Sequence, residues 1–245
     1  MTYTFISGAT GGIGKAFTIS CAKKGYNLFI TGRSEEKLCT LKNSIEKEYN
    51  VTVKTCACDL TSELSRKEML SYIDQNEIKF NRIINVAGVD TQKAFMDYTM
   101  EKVLFQIRVN VEATISLTHA LLSRKEKQTE VITIASMSGA SPMPYFALYS
   151  ASKALLINFF TSLHYELKKD GVKVTVVMPG GVPTRPDIIE DIKGQGLWGK
   201  LSSKSPEFVA EKSLKKVNKN KIKYIPGVFN KFLNLVMKIV PKKIV

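Results

Sequence analysis

The run Thr4-Phe5-Ile6-Ser7-Gly8-Ala9-Thr10-Gly11-Gly12-Ile13-Gly14 decides how this 245-residue chain is read. Thr4–Ser7 is a short apolar strand, the glycines make a turn, and Gly12–Lys24 has the pattern of a helix opening directly from it. A dinucleotide needs this arrangement. One glycine permits the sharp turn, another lets the backbone approach a pyrophosphate, and another lets helix and strand pack closely. Free N–H groups and the positive dipole end of the helix then face the phosphates. The spacing Gly8, Gly12, Gly14 departs from the generic G-x-G-x-x-G, so a turn of purely structural use is the rival reading.

Outward from this run, strands and helices alternate. Asn27–Thr31 reads as a second strand and Ser34–Tyr49 as a helix with Ser34 as its N-cap. Val51–Cys56 and Arg82–Val86 are strands separated by a helix over Ser62–Asn76. Helical stretches follow at Thr99–Val109 and Val111–Lys125, then a strand at Glu130–Ala135. Tyr145–Lys169 is a long helix, Lys173–Met178 a sixth strand, and Lys221–Ile225 a short seventh. Such alternation means crossover units and a parallel sheet. The strands are unbroken apolar runs, as expected when helices cover both faces. The fold class is therefore α/β, a doubly wound parallel sheet of about seven strands in a single domain spanning residues 1–245.

The second strand ends Ile30-Thr31-Gly32-Arg33-Ser34, with no Asp or Glu before Glu35. An acid here would bond the ribose 2′-OH of NAD and repel a 2′-phosphate. Arg33 instead offers a planar fork of donors suited to phosphate, and Ser34 can add a hydroxyl. The cofactor implied is NADP(H); a solvated arginine ahead of a helix is the plainer alternative.

Tyr149-Ser150-Ala151-Ser152-Lys153 opens the long helix, and a spacing of four puts Tyr149 and Lys153 on one face. Hydride delivery to a ketone builds negative charge on oxygen, which a positioned acid must meet with a proton. A tyrosine serves if a nearby ammonium draws its pKa down from about 10. Y-x-x-x-K alone is a weak signal. Ser136 strengthens it, because a hydroxyl at a strand's carboxyl end is where an open α/β sheet meets its ligand. Ser138 is the competitor for that place.

Together, Gly8/Gly12/Gly14, Asn85-Val86-Ala87-Gly88, Asn110, Ser136, Tyr149/Lys153 and Pro179-Gly180-Gly181-Val182-Pro183-Thr184 resemble the motifs of short-chain dehydrogenases/reductases, in that family's order, over roughly residues 2 to 184. The resemblance implies a Rossmann-type sheet in the order 3-2-1-4-5-6-7. It implies that Ser136 positions the substrate oxygen and that Tyr149 is the general acid. Lys153 lowers the tyrosine pKa and binds the nicotinamide ribose, and Asn110 holds a relay water through a break in its helix. Gly8, Thr10, Gly12, Ile13 and Gly14 would hold the phosphates, Asp59 and Leu60 the adenine, and Asn85, Ala87 and Gly88 the loop beside the adenosine ribose. Pro179, Gly180, Val182 and Thr184 would cover the nicotinamide. Ser7 stands where Thr is usual, and Val86 where a second Asn is usual. The implied activity is reduction of a carbonyl, ketone or aldehyde, to an alcohol. The rival is a non-catalytic NADP(H)-binding regulator on the same fold.

Composition sets the outer limits. Cys21, Cys39, Cys56 and Cys58 lack zinc-site spacing, and His119 and His164 have no acid or nucleophile at a suggestive distance, so no metal is expected. Reduced thiols, no signal-type n-region and no run of about 18 apolar residues point to a cytoplasmic protein. The net charge is +14, and Lys200–Val245 holds twelve lysines against Glu207 and Glu211, leaving +10 there. No arginine follows Arg185 and aromatics are few, so nucleic acid is not the expected partner.

Arg185–Ser205 would cover the substrate, its Ile188, Ile189, Ile192, Leu197, Trp198 and Leu201 suiting a greasy molecule and Gly194, Gly196 and Gly199 suggesting a mobile flap. Those apolar residues equally suit simple docking. Residues 224–245 form an amphipathic extension whose helix, Val228–Val240, could cover the substrate entrance, join a homodimer or homotetramer, or lie on an anionic membrane.

Overall fold

The apolar runs form one seven-stranded parallel sheet. The computed structural model describes residues 1–239, with side chains to Met237. The strands are β1 (Thr2–Ser7), β2 (Leu28–Gly32), β3 (Val53–Ala57), β4 (Lys79–Asn85), β5 (Lys125–Ile134), β6 (Val172–Val177) and β7 (Lys223–Tyr224), in the order β3-β2-β1-β4-β5-β6-β7. The helices are α1 (Gly12–Ala22), α2 (Glu35–Glu48), α3 (Glu63–Gln75), α4 (Met100–Ile107), α5 (Ala113–Leu122), α6 (Ala147–Glu166), α7 (Pro186–Gly194), α8 (Gly196–Ser202), α9 (Pro206–Asn218) and α10 (Val228–Ile239). The expected helix position at Val240 and the tail 241–245 lie outside the described residues.

Successive strand residues point to opposite faces, and both faces are dry. Phe5, Phe29, Ile83, Val131 and Val174 pack with Met69, Ile73, Leu117, Leu121 and Phe160, which belong to α3, α5 and α6. Their sequence neighbours Ile6, Ile30, Ile84 and Ile132 pack with Phe17, Leu38, Ile45, Val209 and Leu214 from α1, α2 and α9. That double burial explains why the strands lack polar alternation. Helix starts follow local rules. Ser34, Ser62, Thr99 and Ser205 each accept the backbone N–H three residues on, at 3.2–3.3 Å.

Three elements differ from the reading of the sequence. Lys125 begins β5 rather than ending a helix, and α5 stops at Leu122. Its polar start, Lys125–Gln128, lacks the apolar signature of a buried strand, and the β4–β5 register shifts between Phe80 and Arg82. The break between α4 and α5 is a π-turn over Arg108–Glu112. The expected flap is two helices, α7 and α8. Pro186 and Asp187 favour the first start, and Gly196, at φ +58, turns the chain between them.

Candidate active site

A cleft with about 1040 Å³ of open space lies at the carboxyl ends of the strands, where order reverses between β1 and β4. Its floor is the glycine turn. Gly8 has φ +64, which a side chain would strain, and a Cβ at Gly14 would come 2.0 Å from the Gly8 carbonyl oxygen. At Gly12 a Cβ would come 2.6 Å from Thr184 Cγ2, so glycine leaves open the strip between the two walls. This cradle fits a dinucleotide. Gly8, Thr10, Gly12, Ile13, Gly14, Arg33, Asp59, Leu60, Ala87, Gly88 and Thr184 all line it, together with Gly11, Gly32, Cys58, Val86, Val89, Phe105, Val109 and Arg185.

Other candidates sit elsewhere. Ser34 is not among the lining residues; its hydroxyl accepts the Lys37 N–H as the α2 N-cap. The Asn85 amide is buried and donates to Thr118 and Thr133 at 2.9 and 3.2 Å, tying β4 to α5 and β5. The Val182 side chain belongs to the core. Pro179 accepts the Met137 N–H at 2.9 Å, and Gly180 lies against Ser202 and Asn230. These residues shape the walls from behind. Arg66, buried, holds the Leu60 carbonyl and ion-pairs with Glu112, which fixes the far wall to the π-turn.

The remaining candidates, Asn110, Ser136, Tyr149 and Lys153, gather beside Gly88, where an added Cβ would meet Lys153 Nζ at 3.2 Å and Asn110 Oδ1 at 3.3 Å; none of the four is itself among the lining residues. Tyr149 and Lys153 share one face of α6, with the Lys153 ammonium 5.5 Å from the phenol ring centroid. Lys153 Nζ donates to the Ile134 carbonyl at 3.0 Å, at the end of β5. The next strand-end residue but one, Ser136, accepts the Ser138 N–H at 3.2 Å and lies close enough to the Tyr149 phenol to lower its pKa. Ser138, the competitor, has a buried hydroxyl with no partner. Asn110 is fully buried in the π-turn. Its amide brackets Val89, accepting the N–H and donating to the C=O at 2.8 Å each, and donates to Ser152 at 3.2 Å. The side-chain amide is thus engaged with the backbone of the cleft wall, and the break expected in the helix at Asn110 is present. π-turns of this kind recur at functional sites.

Burial dominates the electrostatics of the pair. Exclusion of water pushes the Tyr149 phenol up to about 12, and the Asp90 carboxylate adds to this, against smaller pulls from Ser136 and Arg185. Burial pushes Lys153 down to about 8, with Asp90 opposing. Burial is the largest cause for both groups, and in each it disfavours the charged form. Asp90 and Arg185 were absent from the sequence-based candidates. They pair at 2.9 Å, joining the loop after β4 to the segment after β6, and Arg185 also holds Asp187 at 3.0 Å. Each stands just beyond a motif, Asp90 two after Gly88 and Arg185 one after Thr184, and that proximity was the available signal.

His119 is exposed, and His164 is buried with Nδ1 3.0 Å from the Val174 carbonyl. Among the described residues no cluster of His, Cys, Asp or Glu suits a metal, and no helix is long and apolar enough to cross a membrane.

The short chain dehydrogenase family model matches residues 2–189. An uncharacterised oxidoreductase of Staphylococcus saprophyticus is 30% identical over 214 residues, covering 85% of this chain and 88% of its own. A very-long-chain 3-oxoacyl-CoA reductase of Pyrenophora tritici-repentis is 34% identical over 193 residues, covering 75% of this chain and 55% of its own. Among solved structures, a 7β-hydroxysteroid dehydrogenase superposes with a TM-score of 0.86 at 27% identity, covering 97% of this chain and 92% of that one. Glycine cradle, catalytic cluster and relatives agree, and the chain belongs to the short-chain dehydrogenase family of nicotinamide-dependent oxidoreductases.

Proposed function

We propose that the chain is an NADPH-dependent reductase of a lipophilic ketone or aldehyde. The observation that carries this reading is the gathering of Ser136, Tyr149 and Lys153 beside Gly88, which lines the same cleft as Arg33. The glycine turn would hold the pyrophosphate, Arg33 the 2′-phosphate, and Asp59 with Leu60 the adenine side. Thr184 and the backbone of Pro179–Val182 flank the nicotinamide end. When bound, the cofactor supplies the hydride.

The protein's own share is proton delivery. Ser136 positions the carbonyl oxygen by hydrogen bonding, and Tyr149 Oη, protonated at neutral pH, gives that oxygen its proton. Lys153, charged below about 8, stabilises the phenolate left behind and offers N–H donors to the ribose. Asn110 sets the position of Val89, and so the wall facing Lys153.

The substrate class follows from the cover. Ile192 of α7 packs on Gly181, and α7 and α8 also carry Ile188, Ile189, Leu197, Trp198 and Leu201. A 3-oxoacyl-CoA reductase and a hydroxysteroid dehydrogenase among the relatives suit such a substrate. Self-association into a homodimer or homotetramer is supported by the exposed stripe Met100, Leu104 and Ile107 on α4, three residues spaced along one helical face. The test is NADPH oxidation by purified protein across long-chain, cyclic and small ketones and aldehydes. Turnover of the lipophilic members is expected; no turnover with any member, in protein shown to bind NADPH, contradicts the reading.

A further inference from the structure

The cover carries a surface that proton delivery does not use. On α10, Val228, Phe232 and Leu235 are 82%, 60% and 56% exposed and repeat along one helical face. On α8, Leu197, Trp198 and Leu201 are 70%, 63% and 43% exposed. The two helices are joined, with the Trp198 and Phe229 rings 5.3 Å apart and Asn230 donating to the Ser202 carbonyl at 2.8 Å. The apolar side chains therefore lie on adjacent helices. Six exposed apolar side chains gathered on two adjacent helices are the kind of patch that marks an interaction site.

Charge identifies the partner. Lys193, Lys200 and Lys231 are exposed around these helices, and Lys204 lies over Gly227 at the start of α10. No acidic residue occurs after Glu211. The nearby acids Asp187, Glu190 and Asp191 belong to α7, not to α8 or α10. A second copy of this face would bring lysines against lysines. The α4 stripe differs, since Asp97, Glu101, Lys102 and Arg108 surround it and mixed charge can be matched by a copy. Apolar side chains with tryptophan among them, on two helices whose only charged residues among those described are lysines, have the make-up of an interfacial helix pair.

We propose that the outer faces of α8 and α10 dock on an anionic lipid bilayer, so that substrate passes from the bilayer under the cover into the cleft. The passage of substrate rests on the reductase reading; the docking does not.

The chain has one tryptophan, and it lies in this surface, so its fluorescence reports docking directly. Full-length protein is titrated with phosphatidylcholine vesicles with and without phosphatidylserine, with vesicle flotation in parallel. Anionic vesicles are expected to shift Trp198 emission to the blue and to carry the protein upward, and added salt to reverse both. The double variant Phe232→Ser, Leu235→Ser is expected to bind such vesicles about tenfold more weakly or worse while still binding NADPH, which shows that it folds. An unmoved emission with anionic vesicles overturns the proposal. So does equal binding to neutral vesicles. A blue shift that grows with protein concentration without lipid, alongside a dimer that the double variant loses, assigns the face to self-association and also overturns it. Tyr149→Phe is expected to bind vesicles normally; retained turnover in that variant counts against the reductase reading alone.

Discussion

Asn110 and Lys153 are 0% and 4% exposed and are held by backbone partners at 2.8–3.0 Å, whereas Leu197 and Trp198 of α8 stand 70% and 63% exposed. The proposed chemistry would sit at the sheet's edge and on α6, where neighbouring elements over-determine each side chain. In the proposed reading, selection and delivery of substrate would fall to the helices of the cover. A rigid floor suits a reaction in which small displacements of a proton donor are costly. A loosely docked cover suits a step that must open and close.

The largest effect expected from breaking the floor is at Lys153. Lys153→Met should lower kcat/KM for ketone reduction by about three orders of magnitude, the upper part of the range for losing a positioned acid–base partner, with the fold retained by circular dichroism. A loss under about tenfold would show that the ammonium is dispensable. Arg33→Ala comes next. It removes a charged fork from the cofactor end and should raise the KM for NADPH about ten- to a hundredfold while leaving that for NADH nearly unchanged. Equal changes for both would remove Arg33 from phosphate recognition.

Asp90 gives a smaller effect that reads the electrostatics of the floor. Reduction needs Lys153 charged, and its folded pKa, about 8, lies below its ordinary value. Activity is therefore supported below about 8 and is lost as pH rises through it, while Tyr149 at about 12 stays protonated. The charges acting on this pair are Asp90, which raises both pKa values, and Arg185, which lowers that of Tyr149. Asp90→Asn should move the alkaline limb of the kcat/KM profile to lower pH. An unmoved limb, or one displaced upward, would mean that Asp90 does not act on Lys153. Smallest is the cover itself. Phe232→Ser should change kcat for a small water-soluble ketone by less than about threefold, because an exposed side chain of α10 contributes nothing to proton transfer.

The same contrast governs what the sequence reveals. The floor is legible because its residues answer to single physical demands. Gly14 must lack a Cβ, Ser34 must cap, and the strands must be apolar on both faces. Tyr149 and Lys153 are legible because four residues make one helical turn. Misreadings arise where one residue type serves two uses. The Asn85 amide could face the cleft or tie strands, and only the positions of Thr118 and Thr133 decide. The fall of Lys153 and the rise of Tyr149 depend on burial, which no spacing encodes. Asp90 and Arg185 meet from positions 95 residues apart, and neither carries a local pattern that announces the pair. In the cover, glycines that suggest a loose flap separate two short helices.

The most direct measurement is the single-turnover rate of NADPH oxidation by a ketone that the wild-type chain reduces, compared between wild type and Tyr149→Phe at saturating cofactor. Phenylalanine keeps the ring and removes only the proton donor. The expected result is unchanged NADPH affinity with the chemical step slowed by about three orders of magnitude or more. A single-turnover rate within about threefold of wild type would show that the carbonyl oxygen takes its proton from another group, and the assignment of Tyr149 would fall.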